Sequence, residues 1–158
     1  MISAGKDVQI RPMTLADVAR VIDMALSLKD APHWPESAYQ AALDPAATPR
    51  RVALVACGRQ SEDLAGFAVA SILPPQAELE TIAVLISRRR RGVGRRLFDA
   101  LNRELLAGGA HEIVLEVRGS NHAALGFYRS LGFVKTGLRR GYYADPADDA
   151  VLMRLRVE

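Results

Sequence analysis

The sequence predicts an α/β fold in which one sheet of mixed strand direction carries helices on both faces. Short apolar runs of strand length alternate along the chain with segments whose apolar residues recur every three or four positions. Pairs of prolines or glycines separate several of these segments. The predicted order is β-α-α-β-β-β-α-β-α-β-β. Because 158 residues are enough for one hydrophobic core, we predict a single domain over residues 1–158.

Seven segments have the length and composition of strands. They are residues 8–11, 51–57, 64–73, 78–86, 112–117, 133–138 and 151–157. The second and third flank a polar turn that contains Gly58, which is typical of a hairpin. Pro74 and Pro75 end the third strand, because proline cannot donate a hydrogen bond to a neighbouring strand.

Four segments have apolar residues at helical spacing. One begins after Thr14, and the others cover residues 36–43, 93–107 and 121–131. Thr14 is a typical N-cap, with Asp17 in the first turn, and Ser120 or Asn121 caps the last helix. The third helix carries a continuous apolar stripe: Val93, Leu97, Leu101 and Leu105. A pair of glycines ends that helix.

The composition limits the classes of function. Hydrophobic residues make up 49% of the chain and charged residues 25%, which is ordinary for a globular protein. The formal charge is +3, and six of the 18 arginines stand within residues 88–96, which favours a local anion site over a general nucleic-acid surface. The single Cys57 excludes an intrachain disulfide and a cysteine metal cage, and its apolar neighbours predict a buried thiol. With no signal peptide and no membrane-length apolar run, we expect a cytoplasmic protein without metal, membrane contact or direct nucleic-acid binding.

A turn rich in arginine is the most informative stretch. Four consecutive arginines, residues 88–91, precede Gly92 and Gly94 and stand between a predicted strand and a predicted helix. A helix N-terminus offers free backbone N–H groups and the positive end of the helix dipole to an anion. The glycines leave room for a phosphate, and each arginine can fork onto phosphate oxygens. We interpret the turn as a cradle for a pyrophosphate.

The common nucleotide motifs do not match this turn. A P-loop needs Gly-Lys-Ser or Gly-Lys-Thr, which the chain lacks, and a dinucleotide fingerprint needs a third glycine after Gly94. A solvated charged turn and a nucleic-acid patch are the plain alternatives for the arginines. The flanking strand, glycines and helix favour the cradle over both.

From about Glu78 to the C-terminus, the chain resembles a known family. The pattern Arg89-x-x-Gly92-x-Gly94, after a strand that ends Ile82-Ala83-Val84, is similar to the acetyl-coenzyme A signature of the GNAT acetyltransferases. Residues 115–121, 128–133 and 139–143 resemble the ribosomal-protein-alanine N-acetyltransferase branch of that family. The N-terminal half matches only through strand order and a tryptophan. The resemblance implies the GNAT fold, with a mostly antiparallel central sheet flanked by helices.

This resemblance implies an acetyl-CoA-dependent N-acetyltransferase in which the amine attacks directly in a ternary complex. It implies Glu116 as the general base and Tyr128 as the general acid. The implied cofactor-binding residues are Ile82, Ala83, Val84, Arg89, Arg90, Arg91, Gly92, Val93, Gly94, Arg95 and Asn121. The implied acceptor contacts are Trp34, Tyr142 and Tyr143.

The chemistry of acetyl transfer agrees with the two implied catalytic roles. An α-amine has an ordinary pKa of roughly 8 and must lose a proton, which the Glu116 carboxylate can take directly or through water. The leaving thiolate must gain a proton, and a tyrosine pKa of about 10 lies near the thiol value of about 8.5, so Tyr128 can supply it. Strand N–H groups near Val84 can stabilise the oxyanion.

Each of these residues also has a plain structural interpretation. Glu116 can be a strand-end glutamate paired to an arginine, and Tyr128 can be a core tyrosine. Asn121 can be an ordinary N-cap, and it can also serve as an N-cap and a cofactor contact at once. Three aromatic residues can serve packing alone: Trp34, Tyr142 and Tyr143.

Two classes of acceptor and one non-enzymatic function remain open. The branch acts on the α-amine of a small-subunit ribosomal protein that starts with alanine, so a protein N-terminus is the expected partner. The weak match of the N-terminal half leaves a lysine side chain or a small-molecule amine as the alternative. A coenzyme A sensor or a basic nucleic-acid binder is the third possibility, and neither would release thiol with any amine.

Overall fold

Seven strands form one sheet in the part of the chain that the structure, a computed structural model, describes: residues 8–61 and 63–158. The strands are β1 (Val8–Pro12), β2 (Arg50–Gly58), β3 (Leu64–Leu73), β4 (Gln76–Val84), β5 (Glu112–Arg118), β6 (Val134–Ala144) and β7 (Ala147–Arg156). The helices are α1 (Val18–Ser27), α2 (Glu36–Leu43), α3 (Val93–Ala107) and α4 (His122–Ser130). The strand order is β1-β2-β3-β4-β5-β7-β6, and the described neighbours are antiparallel except β4 and β5. The predicted fold class and order of elements are therefore confirmed.

Helices cover both faces of the sheet, as predicted. α1 and α2 lie on one face, where Val21 and Tyr39 join a buried cluster around Phe67 of β3. α3 and α4 lie on the other face, where Leu97 and Leu101 of the predicted stripe are fully buried. Burying one such side chain contributes about 1.5–3 kcal/mol to folding. The two helical layers are therefore held firmly against the sheet. Within the described residues, none of the helices is long and apolar enough to cross a membrane.

The first helix and the last two strands differ from their predicted bounds. After Thr14 the chain forms a 3-10 turn over Leu15–Asp17, and α1 starts only at Val18. β6 and β7 extend well beyond the predicted residues 133–138 and 151–157. β6 is the edge strand and is exposed on both faces, so pairing with β7, and not an apolar alternation, sets its length.

The fourth strand is also shorter than predicted at its end. It stops at Val84, and Ile86–Arg88 form a 3-10 turn where a strand through residue 86 was expected. β4 pairs with β5 only from Gln76 to Glu78, and Glu80 is an extra residue where the register with β3 shifts. Such a bulge bends a strand. The two parallel strands separate beyond Glu78, and we call the opening between them the split.

Candidate active site

The split exposes backbone groups of β4. Leu85 donates its N–H to the Ala65 carbonyl on the β3 side at 2.9 Å. Because N–H groups alternate along a strand, those of Ile82 and Val84 point the other way, into the split. The Val84 carbonyl accepts a hydrogen bond from Arg89 Nε at 3.1 Å. Two strand N–H groups are thus available to a ligand at this point.

The arginine turn leads directly into α3 beside the split. Gly92 is the N-cap and has a left-handed φ of +81°, which glycine adopts without strain. The first helical hydrogen bond runs from the Arg96 N–H to the Gly92 carbonyl at 3.0 Å, which leaves the N–H groups of Val93, Gly94 and Arg95 without a helical acceptor. A Cβ at Gly92 would meet nothing within 4 Å, so the space above the turn is open. This end of α3 has the geometry of an anion site.

Gly94 has a packing role that the sequence does not show. A Cβ at this position would lie 3.2 Å from the Phe127 ring of α4 and 3.6 Å from a methyl group of Val84. The absence of a side chain therefore lets α4 approach the start of α3. The close approach of a phosphate to the Gly94 backbone stays a prediction.

Five of the six arginines in residues 88–96 fall into two groups, and the sixth, Arg88, is half-buried. Three donate to backbone carbonyls: Arg89 to Val84, Arg95 to Ser130 and Arg96 to Val8. Arg90 and Arg91 are exposed. Arg90 has a left-handed φ of +62°, which is uncommon for a residue with a side chain. Arg90 and Arg91 are therefore the cations best placed to meet an anion from solvent.

Helix α4 carries two predicted site residues. Asn121 is its N-cap, since Oδ1 accepts from the Ala124 N–H at 3.1 Å, and the amide nitrogen of Asn121 keeps its donors. Tyr128 packs edge-on against Phe133, with ring centroids 5.7 Å apart. Burial, helped by the neighbouring Tyr143, raises the pKa of Tyr128 to about 12. Tyr128 therefore keeps its proton at neutral pH, as a general acid must.

Glu116 stands on β5 just past Val114, the last residue that pairs with β4. The apolar side chains of β5, such as Leu115 and Val117, face α3 and α4, so Glu116 points to the opposite face of the sheet. One carboxylate oxygen lies 3.5 Å from Arg139 Nη1, and the side chain is 27% exposed. The expected arginine pairing is present, but such a long, exposed ion pair contributes little stability. The carboxylate stays accessible.

A second carboxylate, Glu78, shares this face of the split. Burial raises the pKa of Glu78, and the negative charges of Glu80 and Glu116 raise it further, while Arg51 acts in the opposite direction. Glu80 itself is paired with Arg51 Nε at 2.9 Å. This face thus carries three carboxylates, Glu78, Glu80 and Glu116, of which Glu80 and Glu116 have arginine partners.

Two tyrosines near the end of β6 border the same face. The rings of Tyr142 and Tyr143 meet edge-on at 5.1 Å, and Tyr142 is 50% exposed. The Arg118 guanidinium lies 4.1 Å from the centroid of the Tyr143 ring. Burial raises the pKa of Tyr143, and the Glu116 carboxylate adds to the rise. Arg139 links the tyrosine pair to Glu116, since its Cζ lies 5.5 Å from the centroid of the Tyr142 ring and its Nη1 lies 3.5 Å from Glu116 Oε1.

Trp34 follows α1 and belongs to the cluster under α1 and α2. It is partly buried and packs on Tyr39 with ring centroids 5.3 Å apart. Its packing role is confirmed. Among the described residues no ring contact joins Trp34 to Tyr142 or Tyr143, and its contact with an acceptor stays a prediction.

A comparison with known proteins agrees with this geometry. The family model described as the acetyltransferase (GNAT) family matches residues 20–133. The chain belongs to the GNAT acetyltransferase family. That stretch includes the split, the arginine turn and α4, so the expected family is confirmed on the residues that build the site.

Individual relatives of this GNAT chain support the expected branch. The N-alpha-acetyltransferase RimI of Mycobacterium tuberculosis is 39% identical and covers 98% of this chain and 96% of its own length. The [ribosomal protein bS18]-alanine N-acetyltransferase of Escherichia coli K12 is 40% identical over 100 residues, 62% of this chain and 68% of that protein.

Solved structures of the family share the fold. The crystal structure of the ribosomal-protein-S18-alanine N-acetyltransferase from Escherichia coli has a TM-score of 0.82 at 29% identity, over 96% of this chain and 94% of its own. Arabidopsis thaliana NAA60 in complex with acetyl-CoA has a TM-score of 0.83 over 95% of this chain and 99% of its own. At 17% identity, that second likeness shows the GNAT fold alone.

Sequence reasoning missed three charged residues of this GNAT site. Glu78, Arg118 and Arg139 all contact or influence the predicted residues, as described above. A signal existed for Glu78, because it alternates with the buried Ala77 and Leu79 and so faces away from α3. No local signal existed for the two arginines, since their partners lie on other strands.

Proposed function

We propose that the protein is an N-terminal acetyltransferase that moves an acetyl group from acetyl-CoA to a protein α-amine. The observation that carries the proposal is the split between β4 and β5, which lies beside the N-terminus of α3 and has the accessible Glu116 carboxylate where the two strands separate. A carboxylate and an anion site around one opening match the needs of acetyl transfer from a phosphate-bearing donor to an amine.

The residues around the arginine turn fit acetyl-CoA. The open space above Gly92, the three helical N–H groups and the exposed Arg90 and Arg91 suit its pyrophosphate. The backbone of the split suits the acetyl group and the pantetheine arm. The full set proposed to hold it is Ile82, Ala83, Val84, Arg89, Arg90, Arg91, Gly92, Val93, Gly94, Arg95 and Asn121. When bound, acetyl-CoA supplies an activated acetyl group as a thioester.

Glu116 is the proposed general base. An α-ammonium group holds its proton up to a pH of roughly 8, so an amine at neutral pH must be deprotonated before it can attack. Glu116 takes that proton onto Oε1 or Oε2, directly or through one water. Its long contact with Arg139 leaves both oxygens able to accept.

Tyr128 is the proposed general acid. Its raised pKa keeps the proton on Oη at neutral pH, ready for the sulfur as the thiolate leaves. Contacts with the rings of Phe127 and Phe133 hold the Tyr128 ring in one orientation. The N–H groups of Ile82 and Val84 would donate to the carbonyl oxygen of the acetyl group.

The proposed acceptor is the N-terminus of a ribosomal protein that begins with alanine. The support is the names of the two relatives, which specify an α-amine in one case and ribosomal protein bS18 in the other. Tyr142, Tyr143 and Trp34 are the side chains proposed to contact it. A ribosomal acceptor would place the reaction in the cytoplasm.

Thiol release from acetyl-CoA with two matched peptides tests this function. One peptide has a free N-terminal alanine, and the other has the same sequence with a blocked N-terminus and one added lysine. We expect turnover on the free N-terminus alone. The matched control is the first peptide with its own N-terminus blocked, which must give no thiol above background.

Two other results would contradict the proposal. Turnover on the lysine peptide alone would move the function to side-chain acetylation. Thiol release with neither peptide but with a polyamine would make the acceptor a small molecule.

A further inference from the structure

Arg118 holds the tip of the β6–β7 hairpin from the end of β5. Its Nη1 donates to the Pro146 carbonyl at 2.8 Å and its Nη2 donates to the Asp145 carbonyl at 3.2 Å. The same guanidinium covers the Tyr143 ring at 4.1 Å from the centroid. One side chain thus contacts the turn between the two strands and the last aromatic residue before it.

Two aspartates of β7 strengthen the same junction. Asp148 Oδ2 accepts from the Ser120 hydroxyl at 2.5 Å and from the Ser120 N–H at 3.2 Å. Asp149 Oδ1 accepts from the Gly141 N–H at 2.8 Å, where the register of β6 and β7 shifts. The hairpin is therefore fastened both to the β5–α4 loop and across its own irregular stretch.

The β5–α4 loop also determines where α4 begins. Residues 118–121 connect Arg118 to Asn121, the N-cap of the helix that carries Tyr128. A hairpin fastened to this loop keeps a constant position relative to that helix. The same stretch of β6 lies beside Glu116, because Arg139 contacts both the Glu116 carboxylate, at 3.5 Å, and the Tyr142 ring, at 5.5 Å from its centroid.

We propose that Arg118 is a positioning residue for the acceptor: it fixes Tyr143 and the hairpin tip against the β5–α4 loop beside Glu116. The inference rests on the proposed function in one respect, namely that this face receives the acceptor amine. The guanidinium suits the task because its planar fork reaches two carbonyls while its flat surface stacks on the phenol ring. A lysine ammonium can make only part of this set of contacts.

The test compares Arg118→Ala, Arg118→Lys and a control, Arg156→Ala, which removes an exposed arginine at the far end of β7. KM is measured separately for the alanine-starting peptide and for acetyl-CoA, and amide hydrogen exchange is followed over residues 139–148. For Arg118→Ala we expect an acceptor KM about tenfold higher, which corresponds to the loss of roughly 1.4 kcal/mol. KM for acetyl-CoA should stay within about twofold of the wild-type value, because no contact of Arg118 reaches the arginine turn.

Hydrogen exchange separates positioning from general instability. With Arg118→Ala, exchange should rise over residues 139–148 and stay unchanged in β2 and β3, and Arg118→Lys should recover part of both effects. Faster exchange throughout the sheet, or an equal rise of both KM values, would overturn the inference in favour of a structural role. An acceptor KM and a hairpin exchange rate that both match the wild type would overturn it as well.

Failure of the proposed function gives a different result. In that case the wild-type protein does not turn over the alanine peptide, while the exchange comparison still measures whether Arg118 holds the hairpin. Unchanged exchange at the hairpin would then reject the inference by itself. Raised exchange, with the KM effect appearing on whichever amine the protein does accept, would support it.

Discussion

Asp17 and Glu116 are two carboxylates in opposite electrostatic environments. Asp17 is 1% exposed and accepts from both terminal nitrogens of Arg11, at 2.7 and 2.8 Å, and from the Thr14 N–H at 2.8 Å. The Thr14 hydroxyl donates at 3.1 Å and Arg20 Nη2 at 3.3 Å, which makes five donors in all. Glu116 is 27% exposed and has one arginine contact at 3.5 Å. We call the first group, Arg11, Thr14, Asp17 and Arg20, the Asp17 cluster.

The difference separates a fully paired carboxylate from one that keeps acceptor capacity. The donors around Asp17 hold its pKa well below the ordinary value, chiefly through the Arg11 hydrogen bonds, so the group remains charged and does not exchange protons at neutral pH. Glu116 has spare lone pairs and solvent access, so it can accept a proton from a substrate. A site for acid–base chemistry must leave such groups incompletely satisfied, while a site for stability satisfies them fully.

Asp17→Asn should give the largest loss of stability. The substitution leaves Arg11 and the Thr14 N–H without their charged acceptor, and breaking such a buried pair costs about 3 kcal/mol. Urea unfolding at pH 7 measures it, with Asp23→Asn on the exposed face of α1 as the control. A loss below about 1 kcal/mol would show that the Asp17 cluster behaves like a surface ion pair.

The stability lost in Asp17→Asn should become smaller as the pH falls into the acid range. The folded pKa of Asp17 is depressed, so its contribution is fully present above the unfolded value of about 3.9 and is lost as the pH falls towards the folded value. The difference in unfolding free energy between wild type and Asp17→Asn should be constant from about pH 5 to 8 and shrink below about pH 4.

Tyr128→Phe should give the largest loss of activity with little effect on folding. Removing a general acid lowers kcat by roughly 100-fold or more. Because the pKa of Tyr128 is raised to about 12, its deprotonation should not cause any fall in the wild-type rate between pH 8 and about 10. Steady-state kinetics with a saturating amine measure both effects, and an unchanged kcat would remove the acid role. Phe127→Leu, which alters the neighbouring ring, controls for packing.

Glu116→Gln should lower the rate in a pH-dependent way. At about pH 6.5 an α-amine is mostly protonated, so loss of the base should reduce kcat/KM by about 100-fold. At about pH 9 the amine is already neutral and the loss should be tenfold or less. A reduction of equal size at both pH values would show that Glu116 binds or orients the amine without taking its proton.

Gly92→Val should weaken the binding of acetyl-CoA by about tenfold without unfolding the protein. A β-branched residue at a left-handed φ costs about 1–2 kcal/mol, and no neighbour within 4 Å blocks the new side chain, so the strain falls on the turn itself. Gly126→Ala, on a helix with equally open space, is the matched control. Calorimetric titration with acetyl-CoA measures the effect, and wild-type affinity would reject the cradle.

Arg139→Ala should have the smallest effect on stability. It tests most directly whether Glu116 is held less firmly than Asp17. The ion pair with Glu116 is long, Arg139 is exposed and Glu116 is half-buried, so its loss should change the unfolding free energy by less than about 0.5 kcal/mol. The corresponding change in Tm is at most about 2 °C. A larger change, measured by thermal unfolding beside Arg140→Ala, would show that Glu116 is held as firmly as Asp17.

Local patterns were enough to predict much of the site. The arginine turn, the glycine N-cap of α3 and the Asn121 N-cap depend on backbone requirements that a few neighbouring residues reveal. The apolar stripe of α3 depends on a repeat along one helix. The bounds of β6 could not be predicted in the same way, because an edge strand exposed on both faces has no apolar alternation.

The order of the elements, the two helical layers and the glycine N-cap of α3 could be read from the sequence, because each follows from the period or the backbone chemistry of a short segment. Tertiary structure alone decided where β4 and β5 separate and which carboxylate is left with spare lone pairs. It also decided that Arg118 reaches across to a turn 27 residues further along the chain. These features depend on contacts between segments far apart in sequence, and only the folded chain brings such segments within hydrogen-bonding distance.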